Sequence, residues 1–296
     1  MNRWLQLEFT AGAPAVAAIS AALEAAGALA ISLGDPGGDP VLEPAPGATP
    51  LWEEVVVTAL FPGATPVAPL HAAIAAAAGV VPADLTATIV EERDWVGEFR
   101  ENLQPLRFGS RLWVCPEGIP CPDPAAAIIT LEPGLAFGSG SHPTTQLCLE
   151  WLAGLDLERC QVLDFGCGSG ILAIGALALG AGGATALDID PQALQATADN
   201  AARNHCSARL TVVGPAGLAA DARFDVVVAN ILADTLISLA PVLARHCRSG
   251  ARVALSGILT GQSVRVREGC APWLALDAVA GHNGWALLVG RPAAPR

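Results

Sequence analysis

Asp164, Gly166, Gly168 and Gly170 fall on alternate positions of Asp-Phe-Gly-Cys-Gly-Ser-Gly, and Asp188 lies 18 residues beyond the last glycine. Glycine has no Cβ, so a loop of this composition turns tightly and lets a ligand lie against its backbone. A carboxylate at that distance, at the end of the next strand, is placed to accept hydrogen bonds from ribose hydroxyls in a doubly wound sheet. The chemistry implied is recognition of an adenosine-bearing ligand. Dinucleotide sites show G-x-G-x-x-G, whereas the last gap here is a single residue. Asp164 also sets a negative charge where a pyrophosphate would be repelled, which suits a ligand carrying an ammonium and a sulfonium.

These residues need a strand over Val162–Phe165, a helix opening at Ile171 with its amides towards a carboxylate, and a second strand running through Ala186 and Leu187 to Asp188. The D-x-G-x-G-x-G string resembles the first motif of class I methyltransferases, and S-adenosylmethionine is the cofactor that resemblance implies. A fourth strand, Phe224–Ala229, ends in Asn230-Ile231-Leu232-Ala233. Class I enzymes that methylate nitrogen resemble this position with an Asn or Asp followed by Pro-Pro and an aromatic. Only the Asn matches, which implies a roomier acceptor site. A further glycine- and hydroxyl-rich stretch, Leu131 to Thr145, precedes a helix beginning near Thr144 and can close over a ligand. His142 in that stretch has no partner acid in sequence and reads as a loop hydrogen-bonding residue rather than a catalytic one.

The chain has 296 residues, 52% of them hydrophobic and 15% charged, enough for two cores. No unbroken apolar run reaches the roughly 18 residues a membrane span needs, and the beginning of the chain lacks a signal-peptide pattern, so a cytoplasmic protein with no membrane partner is expected. The 8 cysteines are scattered, and Cys115-x5-Cys121 has neither zinc spacing nor a matching second pair, which favours buried thiols over a metal site or disulfide framework. Lysine and tyrosine are both absent, which a skewed composition explains.

Charge is divided unevenly. Residues 1–92 hold ten acids against the single base Arg3, a net −9 of the chain's −12. Such a segment repels a phosphate backbone and attracts a basic protein, although solubility alone also accounts for exposed carboxylates. It reads β-α-β-β-α-β: strands over Trp4–Phe9, Ala28–Leu33, Val55–Leu60 and Leu85–Val90, helices over Ala15–Ala26 and Val67–Ala78, the order of a ferredoxin-like domain. A linker helix or connector is expected over 93–115, with Trp95 and Phe99 on one helical face and an arginine contact to substrate as the second reading. The remainder, 116–296, is expected to be the doubly wound α/β domain.

The whole chain resembles one family, PrmA, the methyltransferases of large-subunit ribosomal protein eleven. The resemblance rests on Arg107-Phe-Gly-x-Arg-Leu-Trp113, on Pro133-Gly-Leu-Ala-Phe137-Gly-x-Gly-x-His142-Pro-Thr-Thr145, on Asp164 to Ile174, on Asp188-Ile-Asp-Pro191 and on Asn230-Ile-Leu-Ala233. Ser139 and Ser141 stand where threonines are usual. The resemblance implies a first domain that holds the ribosomal protein and a second that methylates its α-amino and lysine ε-amino groups. By position it places cofactor contacts on Thr145, Gly166, Asp188 and Asn230, to which Gly168, Asp164 and a wall at Phe137 are added. Because a lysine amine titrates near 10.4, it must lose a proton before it attacks a methyl. Asn230 is assigned to orienting the amine, with no dedicated base and no metal. A monomer that touches no nucleic acid is expected. A nicotinamide oxidoreductase is disfavoured by the short glycine gap and the lack of a Tyr-Lys pair; a class I enzyme acting on another protein or on a small-molecule amine stays open.

Overall fold

The computed structural model describes residues 3–37, 50–91, 104–131 and 140–294. The chain divides into two compact units, Met1–Glu98 and Phe99–Arg296.

In the first unit, strands β1 (Arg3–Gly12), β2 (Ala30–Gly34), β3 (Glu54–Pro62) and β4 (Thr86–Glu91) form one sheet in the order β2-β3-β1-β4, every pair antiparallel. Helices α1 (Ala13–Ala25) and α2 (Val67–Ala78) make the two crossovers. The alternation in the sequence is why this sheet has one dry face: Leu5, Leu7, Phe9 and Ala11 of β1 point the same way as Val55, Val57, Ala59 and Phe61 of β3, and all are buried against Val16, Ile19 and Leu23 of α1 and Leu70 and Ile74 of α2. Gly79 takes the left-handed conformation that stops α2. The ferredoxin-like order expected from the sequence is the one found.

The second unit is built on seven strands in the order β10-β9-β8-β11-β12-β14-β13. They are β8 (Gln161–Phe165), β9 (Gly183–Leu187), β10 (Leu210–Val213), β11 (Phe224–Asn230), β12 (Cys247–Leu259), β13 (Leu274–His282) and β14 (Trp285–Pro292). The first five run parallel, while β14 is antiparallel to both its neighbours. Parallel strands are covered on both faces, so they read as unbroken apolar runs. Leu163, Val227, Ala229, Val253 and Leu255 pack on α6 (Ala233–Arg245) and α7 (Ser263–Cys270), whereas Val162, Val226, Val228 and Ala254 pack on the opposite side with α3 (Pro143–Ala153), α4 (Ile171–Ala178) and Ala201 of α5 (Pro191–Arg203). The sheet order reverses between β8 and β11, and ligands of doubly wound sheets bind at such a switch point.

Part of the stretch expected as a connector is instead strand. Leu106–Phe108 (β5) and Leu112–Pro116 (β6) form an antiparallel hairpin, to which Ala127–Leu131 (β7) adds in parallel. The reason is alternation: Phe108, Leu112 and Val114 face the core with Ile129 and Leu131, and Gly109 turns the hairpin at φ 55°. Arg111, one of the connector's arginines, donates from Nη2 to the Ala153 and Leu155 carbonyls at 3.2 and 2.8 Å, and so caps the end of α3. The Gly109 amide donates to Glu150 Oε2 at 2.8 Å. The hairpin thus fastens the helix whose other end enters the site. Trp95 and Phe99 lie outside the described residues.

Candidate active site

The glycine loop closes over the end of β8. Gly166, Gly168 and Gly170 have φ of 80°, 53° and 77°, a region L side chains rarely enter. At Gly166 a close approach adds to the requirement, since a Cβ there would collide with the Ile231 side chain. The amides of Gly166 and Cys167 both donate to the Leu187 carbonyl, at 2.7 and 3.0 Å, which ties the loop to the end of β9.

Asp188 sits where that tie ends. Its Oδ2 accepts from the Gly168 amide at 2.9 Å and its Oδ1 from the Asp190 amide at 3.1 Å, so the carboxylate is fixed in place with lone pairs still available to a diol. The neighbouring acid serves the helix instead. Asp190 caps α5 by accepting from the Gln192 amide at 2.8 Å, with Pro191 at the first helical position. Between the two acids Ile189 stands 84% exposed. It presents an exposed aliphatic surface beside the Asp188 carboxylate. Sequence reasoning passed over it, although an apolar residue between two acids at a strand end was a legible signal.

Asp164 is fully buried at the end of β8. Its Oδ2 accepts from the Ala173 amide of α4 at 3.1 Å, while Oδ1 has no hydrogen-bond partner among the described residues. Burial pushes its carboxyl up to about 7; the Ala173 bond opposes that rise and the Asp188 charge adds to it. The residue read from sequence as a plain anion is therefore one whose surroundings favour the protonated carboxyl more than water does.

Asn230 ends β11, whose register with β8 (Val228 beside Asp164, Ala229 beside Phe165) brings it level with the glycine loop. Its Nδ2 donates to Thr145 Oγ1 at 3.4 Å, joining two site residues 85 apart in sequence. Thr145 is itself buried in the first turn of α3. His142 caps that helix: Nδ1 accepts from the Thr144 amide at 3.3 Å and lies 2.7 Å from Thr144 Oγ1. Its ring meets Trp285 edge-on with centroids 5.0 Å apart, and burial holds its pKa below the usual value. These contacts fix the imidazole in place at the start of α3. Asp164, Gly166, Gly168, Asp188, Asn230 and Thr145 therefore gather at the one switch point; Phe137 lies outside the described residues.

All eight cysteines carry free thiols, six of them buried. No helix among the described residues is long and apolar enough to cross a membrane.

A family model described as "Ribosomal protein L11 methyltransferase (PrmA)" matches residues 3–293. A ribosomal protein L11 methyltransferase of Chromohalobacter salexigens is 46% identical over 295 residues, covering 97% of this chain and 98% of the relative. One from Hahella chejuensis is 45% identical over 288 residues, with 97% and 98% covered. Among solved structures, a ribosomal protein L11 methylase from Lactobacillus delbrueckii subsp. bulgaricus aligns with a TM-score of 0.57 and 32% identity, over 63% of this chain and 97% of that one.

Proposed function

The chain belongs to the ribosomal protein L11 methyltransferase family, PrmA, and from that premise we propose that it transfers methyl groups from S-adenosylmethionine to the lysine ε-amino groups and N-terminal α-amino group of ribosomal protein L11. The observation that carries the reading is the family match across residues 3–293. It is supported by a site whose residues fit the cofactor. A fully buried carboxyl with an unpartnered oxygen, Asp164, suits a cationic group; Gly166, Gly168 and Gly170 hold the positive φ that a tight loop at the strand end requires; and the Asp188 carboxylate is held at the end of β9 beside exposed Ile189.

When bound, S-adenosylmethionine supplies an electrophilic methyl group, which the acceptor nitrogen takes in exchange for a proton. The protein's own work is alignment and desolvation. Because Nδ2 of Asn230 is turned to Thr145, its Oδ1 is left as the acceptor for an amine N–H. Burying the amine in the cleft disfavours its charged form and so helps release its proton, after which held geometry replaces diffusive encounter. Residues 1–92, with a net −9, are suited to attract a basic segment of the substrate, acting mainly on encounter rate. A ribosomal protein substrate supports a cytoplasmic location, and the acidic balance supports a protein rather than nucleic acid partner; we further propose that the enzyme acts as a monomer.

Mass spectrometry of purified ribosomal protein L11 incubated with the protein and S-adenosylmethionine tests the reading directly. Mass gains in steps of one methyl, mapped to amines, are expected. No gain, with cofactor binding intact by calorimetry, would transfer the reaction to another protein or to a small-molecule amine.

Asp164 gives the site a pH signature. Its carboxyl binds a proton more tightly in the fold, at about 7, than its ordinary 3.8. Its contribution to stability is therefore complete below the lower value and is lost as pH rises through the upper one. The thermal midpoint of the ligand-free protein should fall, relative to Asp164→Asn, as pH is raised from about 4 to about 7. Affinity for the cationic cofactor should move the other way and strengthen over the upper part of that range. A midpoint difference that does not change with pH would show that Asp164 is charged throughout.

A further inference from the structure

Helix α5 carries a row of polar side chains on a face that is otherwise alanine. Thr197, Asn200 and Asn204 are spaced by three and four residues, so they line one side of the helix. Thr197 and Asn200 are buried there beside Ala193 and Ala201. Buried polar groups on such a face need partners, and those partners are the glycine loop. Thr197 Oγ1 donates to the Gly168 carbonyl at 3.0 Å and lies 3.3 Å from Cys167 Sγ. Asn200 Nδ2 donates to the Ser169 carbonyl at 2.9 Å. The side chain of Thr197 also fills the space where a Cβ on Gly170 would stand.

The direction of the Asn200 amide is set by its other neighbour. Arg203, which can only donate, reaches Asn200 Oδ1 from Nη1 at 2.9 Å. That leaves Nδ2 for Ser169, so the orientation is fixed by the network rather than free to flip. Arg203 is in turn held by Glu117 Oε2, 3.1 Å from its Nε. One turn further on, Asn204 grips Thr130 of β7 through both backbone groups, each at 2.7 Å. Two consecutive carbonyls of the loop are thus drawn towards α5. In a planar trans peptide the N–H points opposite to the C=O, so the Ser169 amide is turned away from α5.

We propose that Thr197 and Asn200 are positioning residues for the cofactor: they hold the Gly168 and Ser169 peptides in the orientation that binds it, without touching it. The inference rests on the reading of this loop as the S-adenosylmethionine site. It assigns a role in binding to a helix face that the motifs of the loop itself do not include.

Thr197→Val keeps the shape of the side chain and removes only the hydroxyl, leaving the Gly168 carbonyl without that partner; Thr197→Ser keeps the hydroxyl. With S-adenosylmethionine as the probe in calorimetry, and ribosomal protein L11 as the acceptor in steady-state assays, Thr197→Val should raise the cofactor Kd and KM about tenfold with kcat at saturation within about twofold. Thr197→Ser should restore both to within about twofold of the parent protein. A role confined to stability would lower the melting temperature of Thr197→Val and leave Kd unchanged, and that result overturns the proposal. If Thr197→Val does not fold, Asn200→Asp replaces the donor to Ser169 with an acceptor and should weaken binding by a similar factor; unchanged affinity there overturns it equally. A parent protein that fails to bind S-adenosylmethionine at all removes the site reading as well, which distinguishes that failure from this one.

Discussion

Asp188→Ala is expected to weaken S-adenosylmethionine binding by about 100-fold or more, with the fold retained, because hydrogen bonds to a charged group contribute about 1.5–3 kcal/mol each. The carboxylate has two uses in this structure. It takes the Gly168 amide on one oxygen and the Asp190 amide on the other, at 2.9 and 3.1 Å, so it shapes the loop. On the proposed reading its remaining lone pairs accept from a ribose diol. Alanine removes both uses at once. Asp188→Asn separates them: its single amide oxygen can serve the Gly168 amide or a ribose hydroxyl fully, and the opposing NH2 repels the Asp190 amide. Affinity for the Asn variant should fall between the other two. Calorimetry with S-adenosylmethionine reads both, and a melting curve shows how much of the loss is structural. An alanine variant that binds as tightly as the parent would reduce Asp188 to a brace for the loop.

The parts of this site that were legible in the sequence are those built from short-range rules. Gly166, Gly168 and Gly170 stand out because positive φ and close approach exclude other residues, and the structure gives all three positive φ. Asp188 was found by its distance along one βα unit, and Asn230 by the end of an apolar strand. What the sequence did not show is long-range pairing. That Asn230 would meet Thr145, 85 residues away, follows from the order in which strands assemble. The hairpin at Leu106–Pro116 was hidden because the four-residue spacing of Trp95 and Phe99 suggests a helix, and that reading extends through the rest of the connector. Thr197 and Asn200 were invisible for another reason. A threonine and an asparagine on a helix normally read as solvent-facing, and only burial against the loop carbonyls reveals their purpose. Of the two acids of Asp-Ile-Asp-Pro, spacing singled out the first, and the structure adds what each does within the fold: Asp188 holds the loop and Asp190 caps a helix.

Asn230→Ala should reduce kcat about 100- to 1000-fold, the loss seen when one preorganised side-chain partner of a reacting group is removed. Little of that loss should appear as instability, since the bond from the Asn230 side chain to Thr145 is long, at 3.4 Å, and correspondingly weak. Asn230→Asp is the sharper test of the mechanism. The carboxylate keeps an acceptor in the same place, so a purely geometric role would leave this variant active. A negative charge beside the amine, however, favours its ammonium form and raises its pKa. An ammonium has no lone pair with which to attack a methyl group. Asn230→Asp should therefore be slow at neutral pH and gain activity as pH rises, along a profile displaced to higher pH than that of the parent enzyme. Rates measured at saturating cofactor across that range decide the matter: a parallel profile at reduced height would mean that the residue shapes the pocket without governing the charge of the amine. A displaced profile would support the proposal that a neutral acceptor at the end of β11 lets the reaction proceed without a dedicated base, by aligning the nitrogen while leaving it free to lose its proton.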